Sequence, residues 1–167
     1  MQHWLEQQGA DFDSGLTPLQ KAQSHALVRM VEENLRQHLV YERWMVDANW
    51  LVVREAFFDS IPGLLRGMIT KKIRKKVLRS LTSHGVAQFS ETERTARATR
   101  DLATVVETLD DKPFLFGETP TAADAAIAPV LDMIRTLPTD GQLRQLVCNQ
   151  PRLIAYVDRA RDAIYPK

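Results

Sequence analysis

The sequence predicts an all-α fold, and three observations support that class. Apolar residues recur at helical spacing along most of the 167-residue chain, helix-start signatures appear repeatedly, and only the stretches WLVV and PFLFG look like strands. The chain is 44% hydrophobic and 26% charged, which is typical of an ordinary globular protein with one buried core. We therefore expect a single bundle of about six to seven helices.

The first predicted helix is long and begins at a strong start signal. Thr17-Pro18-Leu19-Gln20 has the pattern of a capping box, with proline at the first helical position. The spacing beyond it predicts one amphipathic helix from Thr17 to about Asp47, and Asp47 can cap the next helix. The residues expected to face inward are Leu27, Met30, Val31, Leu35, His38 and Met45.

Three further helices are predicted in the middle of the chain. The segment NWLVVREAFFDS follows Asp47 and is stopped by Ile61-Pro62-Gly63, and LLRGMITKKIRKKVLRSLTSHG runs to Gly85. A second capping box, at Ser90 to Glu93, opens a helix that continues to about Leu109. The inward faces of the last two helices are expected to carry Ile69, Ile73, Val77 and Leu81, and Ala98, Leu102, Val105 and Leu109.

The C-terminal part opens on a third capping box. In Thr121-x-x-Asp124 the threonine hydroxyl can accept from the Asp124 N–H, while the carboxylate accepts from the Thr121 N–H. A rival register places Thr119 at the N-cap and Pro120 at the first helical position. We favour Thr121, because only that register gives Asp124 a donor. The helix is expected to reach about Leu137, and a short helix at GQLRQLVC and a last one after Pro151 complete the bundle.

The order and punctuation of these helices carry a family resemblance. The acidic lead-in GADFDSGLTP, the long first helix, ETLDDKPFLFGETPTAADAAIAPVL and the closing NQPRLIAYVDRAR together resemble the C-terminal helical domain of glutathione S-transferases. The tract HLVYERWMVDANWLVVREAFF is similar to the metaxin and failed-axon-connections branch of that superfamily, including its bacterial members. The family element Phe-Leu-x-Gly-x-x-Pro-[Ser/Thr]-x-x-Asp is matched by Phe114, Leu115, Gly117, Pro120, Thr121 and Asp124.

The resemblance implies a domain organisation and a set of partners. Residues 1–16 would be a remnant of an interdomain helix and linker, and residues 17–165 the helical domain, with no thioredoxin-like domain in the chain. In the family that domain holds most of the glutathione site, so glutathione is implied for a complete member and no cofactor is expected in this chain alone. The implied partners are a thioredoxin-like domain that is missing or separate, a second copy in a homodimer and a small hydrophobic electrophile.

The same resemblance gives two functions of different classes. In the first, the chain supplies the hydrophobic-substrate wall and the domain or dimer scaffold of a glutathione transferase, inactive without its thioredoxin-like domain. In the second, it is a non-catalytic helical module of metaxin type that contacts a partner or a membrane surface. The resemblance also implies that Thr121 and Asp124 cap a central buried helix, so Asp124 is expected to be structural.

Candidate pocket residues lie near the end of the first helix. Asn34, His38 and Tyr41 share one stripe, and polar side chains on an apolar stripe can line a pocket, although satisfied core groups are the favoured alternative. The substrate-pocket candidates are Asn34, His38, Tyr41 and Trp44, although for Trp44 a place in the core is the favoured alternative. No catalytic residue is assigned.

Several other chemistries find no support in the sequence. The four histidines lack ligand spacing, so no metal site is expected, and Cys148 is interpreted as a buried thiol. The net charge of +1 and the lack of interleaved aromatic residues exclude nucleic acid as a partner. The basic run KKIRKKVLR is expected to be a solvated face, with contact to anionic lipid as the alternative. One cysteine and the lack of a leader or a long apolar run predict a cytoplasmic protein.

Overall fold

Seven helices make up the fold within the residues that the computed structural model describes, Gln7 and residues 11–165. They are α1 (Pro18–Met30, continued through Val31–Leu35 to Arg36–Met45), α2 (Asp47–Phe58), α3 (Gly63–His84), α4 (Glu91–Leu109), α5 (Ala122–Arg135), α6 (Gln142–Cys148) and α7 (Pro151–Ile164). The β-structure found in this part of the chain is an isolated bridge between Phe114 and Gly117. The predicted all-α class is confirmed. Most of the predicted remnant at residues 1–16 lies outside the described residues.

Helix α1 follows the prediction at its start and departs from it at its end. The Thr17 N–H donates to the Gln20 side chain over 2.9 Å, so the predicted cap is formed. Val31–Leu35 is a π-helical turn inside the helix, and the helix stops at Met45 because Val46 is extended. The prediction that Asp47 caps α2 is wrong, since Val46 holds the N-cap position and the Asp47 carboxylate accepts instead from Arg74 over 2.7 Å.

The basic helix α3 is attached to the bundle by one of its own arginines. Arg74 donates through Nε to the Trp44 carbonyl over 2.7 Å and through Nη2 to the Met45 carbonyl over 2.9 Å. These are two of the carbonyls that the end of α1 leaves without helical partners. Leu81 is buried, whereas the other three predicted inward residues are half-buried. The basic run is therefore a solvated face except at Arg74, and the exposed cations are Lys71, Lys72, Lys75, Lys76 and Arg79.

Helix α5 lies at the centre of the bundle and packs against α1, α6 and α7. Its side chains at Ala123, Ile127, Leu131 and Ile134 are fully buried. A helix that is apolar on most of its surface is stable only when other helices surround it, which accounts for the alanine-rich sequence at its start. The predicted inward face of α4 is also buried along its whole length.

Asp124 is the polar centre of this core and accepts hydrogen bonds from three parts of the chain. One carboxylate oxygen accepts from the Thr121 N–H and hydroxyl, each over 2.8 Å, and the other accepts from the Leu115 N–H and the Tyr156 hydroxyl, each over 3.0 Å. Burial, with the nearby Asp124 carboxylate, raises the pKa of the Tyr156 phenol, so this hydroxyl stays protonated and donates. Asp124 therefore joins the PFLFG loop, the start of α5 and α7.

Candidate functional site

A cavity of about 300 Å³ lies between α1, α4 and the segment that joins α3 to α4, and we call it the α1–α4 cavity. Helix α1 contributes Asn34 and His38 to its wall, the last residue of α3 contributes His84, and the joining segment contributes Phe89. Helix α4 contributes four charged side chains, which are Arg94, Arg97, Arg100 and Asp101. Polar and apolar surfaces are therefore mixed in this cavity, and cationic groups outnumber acidic ones.

The π turn of α1 forms part of this wall. Glu33, Asn34 and Leu35 belong both to the π segment and to the cavity lining. A π turn adds one residue to a helical turn and changes the direction of the side chains that follow. Such turns are rare and are frequently found at functional sites, so the position of this one draws attention to the cavity.

His38 is the buried polar residue that α1 presents at the cavity. Its side chain is 7% exposed, and Nε2 lies 3.6 Å from a carboxylate oxygen of Glu42, one turn further along the helix. The Glu42 side chain is 12% exposed. His38 therefore brings an imidazole, the side chain most often used in acid–base chemistry, to the cavity wall with a carboxylate beside it.

Arg94 is the most deeply buried charge on the α4 side. The residue is 8% exposed, its guanidinium carbon lies 3.8 Å from the centroid of the Tyr41 ring, and Nη1 donates to the Phe89 carbonyl. Its Nε is buried and has no hydrogen-bond partner. The neighbouring Arg97 stacks over Phe89 in a similar way, 3.9 Å from the ring centroid. Aromatic rings therefore hold both guanidinium groups in place.

Asp101 is the cavity residue whose ionisation is most affected by its surroundings. Burial raises the pKa of its carboxyl to about 6, and the nearby positive charges of Arg97 and His38 limit the rise. A desolvated carboxyl beside arginines is an unusual environment, and perturbed groups of this kind are concentrated at functional sites.

The four predicted pocket residues fall into three environments. Asn34 and His38 line the α1–α4 cavity, and Tyr41 lies behind it under Arg94. Trp44 is absent from the cavity lining, because its ring packs against Trp50 with centroids 5.2 Å apart. That these residues contact a substrate stays a prediction.

The sequence reasoning missed the α4 side of the cavity. Arg94, Arg97 and Arg100 repeat at every third position and Asp101 follows directly, so the signal was present as a polar stripe on α4. It also missed Asn49, which is fully buried and binds the Glu42 carbonyl and Thr139. Asn49 stabilises the junction between α2 and the α5–α6 loop, away from the cavity.

Metal and thiol chemistry have little support within residues 11–165. No group of three or more His, Cys, Asp or Glu side chains there could hold a metal ion. Cys148 is half-buried and free, with its sulfur 4.0 Å from the Arg135 carbonyl. Among the described helices, none is long and apolar enough to cross a bilayer.

Two family models match the chain. Residues 88–159 match the Glutathione S-transferase, C-terminal domain, and residues 1–49 match the Glutathione S-transferase N-terminal domain. The chain is glutathione S-transferase-like. The second match contradicts in part the prediction that this chain has no thioredoxin-like domain and needs a missing or separate one as partner, and it covers all four predicted pocket residues. From Pro18 to Met45 the matched segment is helical. The sequence therefore shows none of the strands expected of a thioredoxin-like domain there, and the match could not be predicted from strand patterns.

Two curated relatives cover most of this glutathione S-transferase-like chain. Isoprene-epoxide–glutathione S-transferase of Rhodococcus sp. (strain AD45) is 28% identical over 159 residues, which are 92% of this chain and 65% of the relative. Failed axon connections of Drosophila melanogaster is 31% identical over 166 residues, 92% of this chain and 40% of the relative. The chain thus spans about two thirds or less of these relatives. No solved structure matches it significantly.

Proposed function

We propose that this protein joins glutathione, through its sulfur atom, to a small electrophile. Helices α1 and α4 form a wall of the electrophile site. The observation that carries the proposal is the α1–α4 cavity with a buried histidine–glutamate pair at its wall. The glutathione S-transferase-like character of the chain and the relative named for an epoxide substrate support it. Glutathione is the second substrate, and the cytoplasm, where glutathione is abundant, is the proposed compartment.

His38 has a defined chemical role in this proposal. When a thiolate attacks an epoxide carbon, a carbon–sulfur bond forms, a carbon–oxygen bond breaks and the oxygen becomes an alkoxide that needs a proton. We assign this proton transfer to the His38 imidazole at the cavity wall, which has the Glu42 carboxylate 3.6 Å from its Nε2. The imidazole then recovers a proton from water or from the next glutathione thiol, so atoms and charge balance over a turnover.

Conjugation of glutathione to a small aliphatic epoxide, measured by mass spectrometry of the thioether product, tests this function. We expect product above the uncatalysed rate, and we expect His38→Gln to lower kcat by about tenfold or more. His25→Gln is the matched control, because His25 lies on the same helix but is exposed. A wild-type rate equal to the uncatalysed rate, or equal rates for His38→Gln and His25→Gln, would overturn the proposal.

A second candidate function, contact with an anionic membrane surface, is favoured by the outer face of α3. Leu65 and Met68 are 49% and 65% exposed, and Lys72, Lys75 and Arg79 continue the same face. No acidic residue occurs in α3. Exposed apolar residues beside cations suit an interface with anionic lipid headgroups.

Sedimentation with lipid vesicles separates this candidate from the transferase function. Binding to vesicles that contain phosphatidylserine, lost with Met68→Gln and absent with vesicles of phosphatidylcholine alone, would support it. No sedimentation with either vesicle would exclude it. Lys112→Gln, a charge change on another part of the molecule, is the control for a general loss of positive charge.

A further inference from the structure

Three arginines line the α1–α4 cavity without an acidic partner. No carboxylate oxygen of the described residues lies within 4.0 Å of a guanidinium nitrogen of Arg94, Arg97 or Arg100. Most arginines elsewhere in the described chain have such a partner, as Arg135 does with Asp132 and Asp158. What distinguishes the α4 arginines is that all three line one cavity without such a partner.

Burial of the Arg94 guanidinium costs free energy unless its charge and its donors have partners. The Tyr41 ring and the Phe89 carbonyl account for one face and one nitrogen of the guanidinium, whereas the buried Nε has no acceptor. A buried donor without an acceptor is costly, and more so on a charged group. The Tyr41 ring and the hydrogen bond to the Phe89 carbonyl nevertheless fix the guanidinium in position, which is how a preorganised binding group is held.

The acidic groups of the cavity do not neutralise these arginines. The Glu33 carboxylate is already shared between Arg29 and His84. Asp101 is the remaining carboxyl of the lining, and it is partly desolvated and more than 4.0 Å from the arginine nitrogens. The lining therefore keeps an excess of positive charge in a space that is partly shielded from solvent, where a charged hydrogen bond is stronger than in water.

We infer that the α1–α4 cavity binds a small ligand through an oxyanionic group, a carboxylate or a phosphate, held by Arg94 with help from Arg97 and Arg100. Guanidinium groups match both oxyanions in geometry and charge. The inference goes beyond the proposed transferase function, since it concerns the charge of the ligand and does not require a reaction.

Calorimetric titration of the full chain with inorganic phosphate and with succinate, at constant ionic strength and without glutathione, tests the inference and distinguishes the two oxyanions. We expect saturable binding of at least one of them. Arg94→Gln should weaken it by about tenfold or more. Lys21→Gln is the control, because it removes one positive charge from an exposed position on α1 outside the cavity lining and should leave the affinity unchanged.

Two further variants keep the test decisive if Arg94→Gln destabilises the fold. The Arg100 side chain is exposed and makes no hydrogen bond or ion pair with the described residues, so Arg100→Gln should fold normally and weaken binding by about threefold. Asp101→Asn removes the unpaired negative charge and should strengthen binding by about threefold. Absence of saturable binding of both anions, or equal effects of Lys21→Gln and Arg100→Gln, would overturn the inference and leave the proposed transfer reaction standing.

Discussion

The Asp124 centre and the α1–α4 cavity both bury charged groups, but only the first has all of its hydrogen-bonding groups paired. Each oxygen of Asp124 has two donors, contributed by three separated parts of the chain. Arg94 is buried to a similar degree and leaves Nε without an acceptor. A fully satisfied polar group holds a fold together, whereas Nη2 of Arg94, at the cavity, is left without an acceptor among the described residues and is free to donate to a ligand. The first region is therefore structural, and the second is where we infer ligand recognition.

The largest expected effect is at the Asp124 centre. Asp124→Ala leaves four donors without an acceptor in a dry core, and we expect unfolding to become easier by about 3–5 kcal/mol. Asp124→Asn should cost nearly as much, because its amide nitrogen would face two donors that the carboxylate oxygen accepts. Urea denaturation measures both, with the exposed Asp111→Ala as control. A loss below about 1 kcal/mol for Asp124→Ala would break the contrast.

A smaller effect is expected at the long-range partner of this centre. Tyr156→Phe keeps the buried ring and removes one of four hydrogen bonds to Asp124, so the free energy of unfolding should fall by about 1–1.5 kcal/mol. Tyr165→Phe, at an exposed tyrosine, should be silent in the same denaturation series. If the two variants are equally stable, the hydroxyl does not hold α7 to α5.

The smallest effect, and the one of opposite sign, is expected at Asp101. Its folded pKa of about 6 lies above the usual value of 3.8, so the neutral form favours folding and that contribution is lost as pH rises through about 6. This pKa shift corresponds to about 3 kcal/mol in the free energy of unfolding before solvent screening. Because the side chain is partly exposed, we expect about 1 kcal/mol after screening.

Asp101→Asn should therefore stabilise the protein by about 1 kcal/mol at neutral pH, and the gain should disappear at about pH 3, below both the usual and the folded pKa of the carboxyl. Denaturation of wild type and variant across this range measures it, with Asp162→Asn at an exposed carboxyl as control. A gain that does not depend on pH would show that Asp101 acts through something other than its charge.

The sequence predicted the Asp124 centre only in its local part. Thr121 and Asp124 are three residues apart, and this spacing is a property of the helix start that sequence displays directly. Leu115 and Tyr156 reach the same carboxylate from a loop and from the last helix, and no local pattern indicates that they meet. The expectation that one backbone donor satisfies Asp124 was accordingly incomplete.

The cavity was predicted from one side for a similar reason. The polar stripe of α1 pointed to Asn34 and His38, whereas Trp44 was chosen from the same short tract and packs on α2. Arg94 lies more than fifty residues away, and only the pairing of α1 with α4 brings it to the same space. Periodicity predicts which face of a helix is buried but not which helix covers it.

The π turn in α1 also bears on how related sequences should be aligned. Because Val31–Leu35 accommodates one residue more than a regular turn, a homologue that lacks one residue there could retain an unbroken helix. A single-residue gap in an alignment at this point would then mark a rotation of everything beyond it by about 100°, with no change of loop length. In such a homologue the core contacts before the π turn would be kept, whereas the residue equivalent to His38 would face a different neighbour. A single deletion in evolution could therefore change this site in a way that substitutions alone would not.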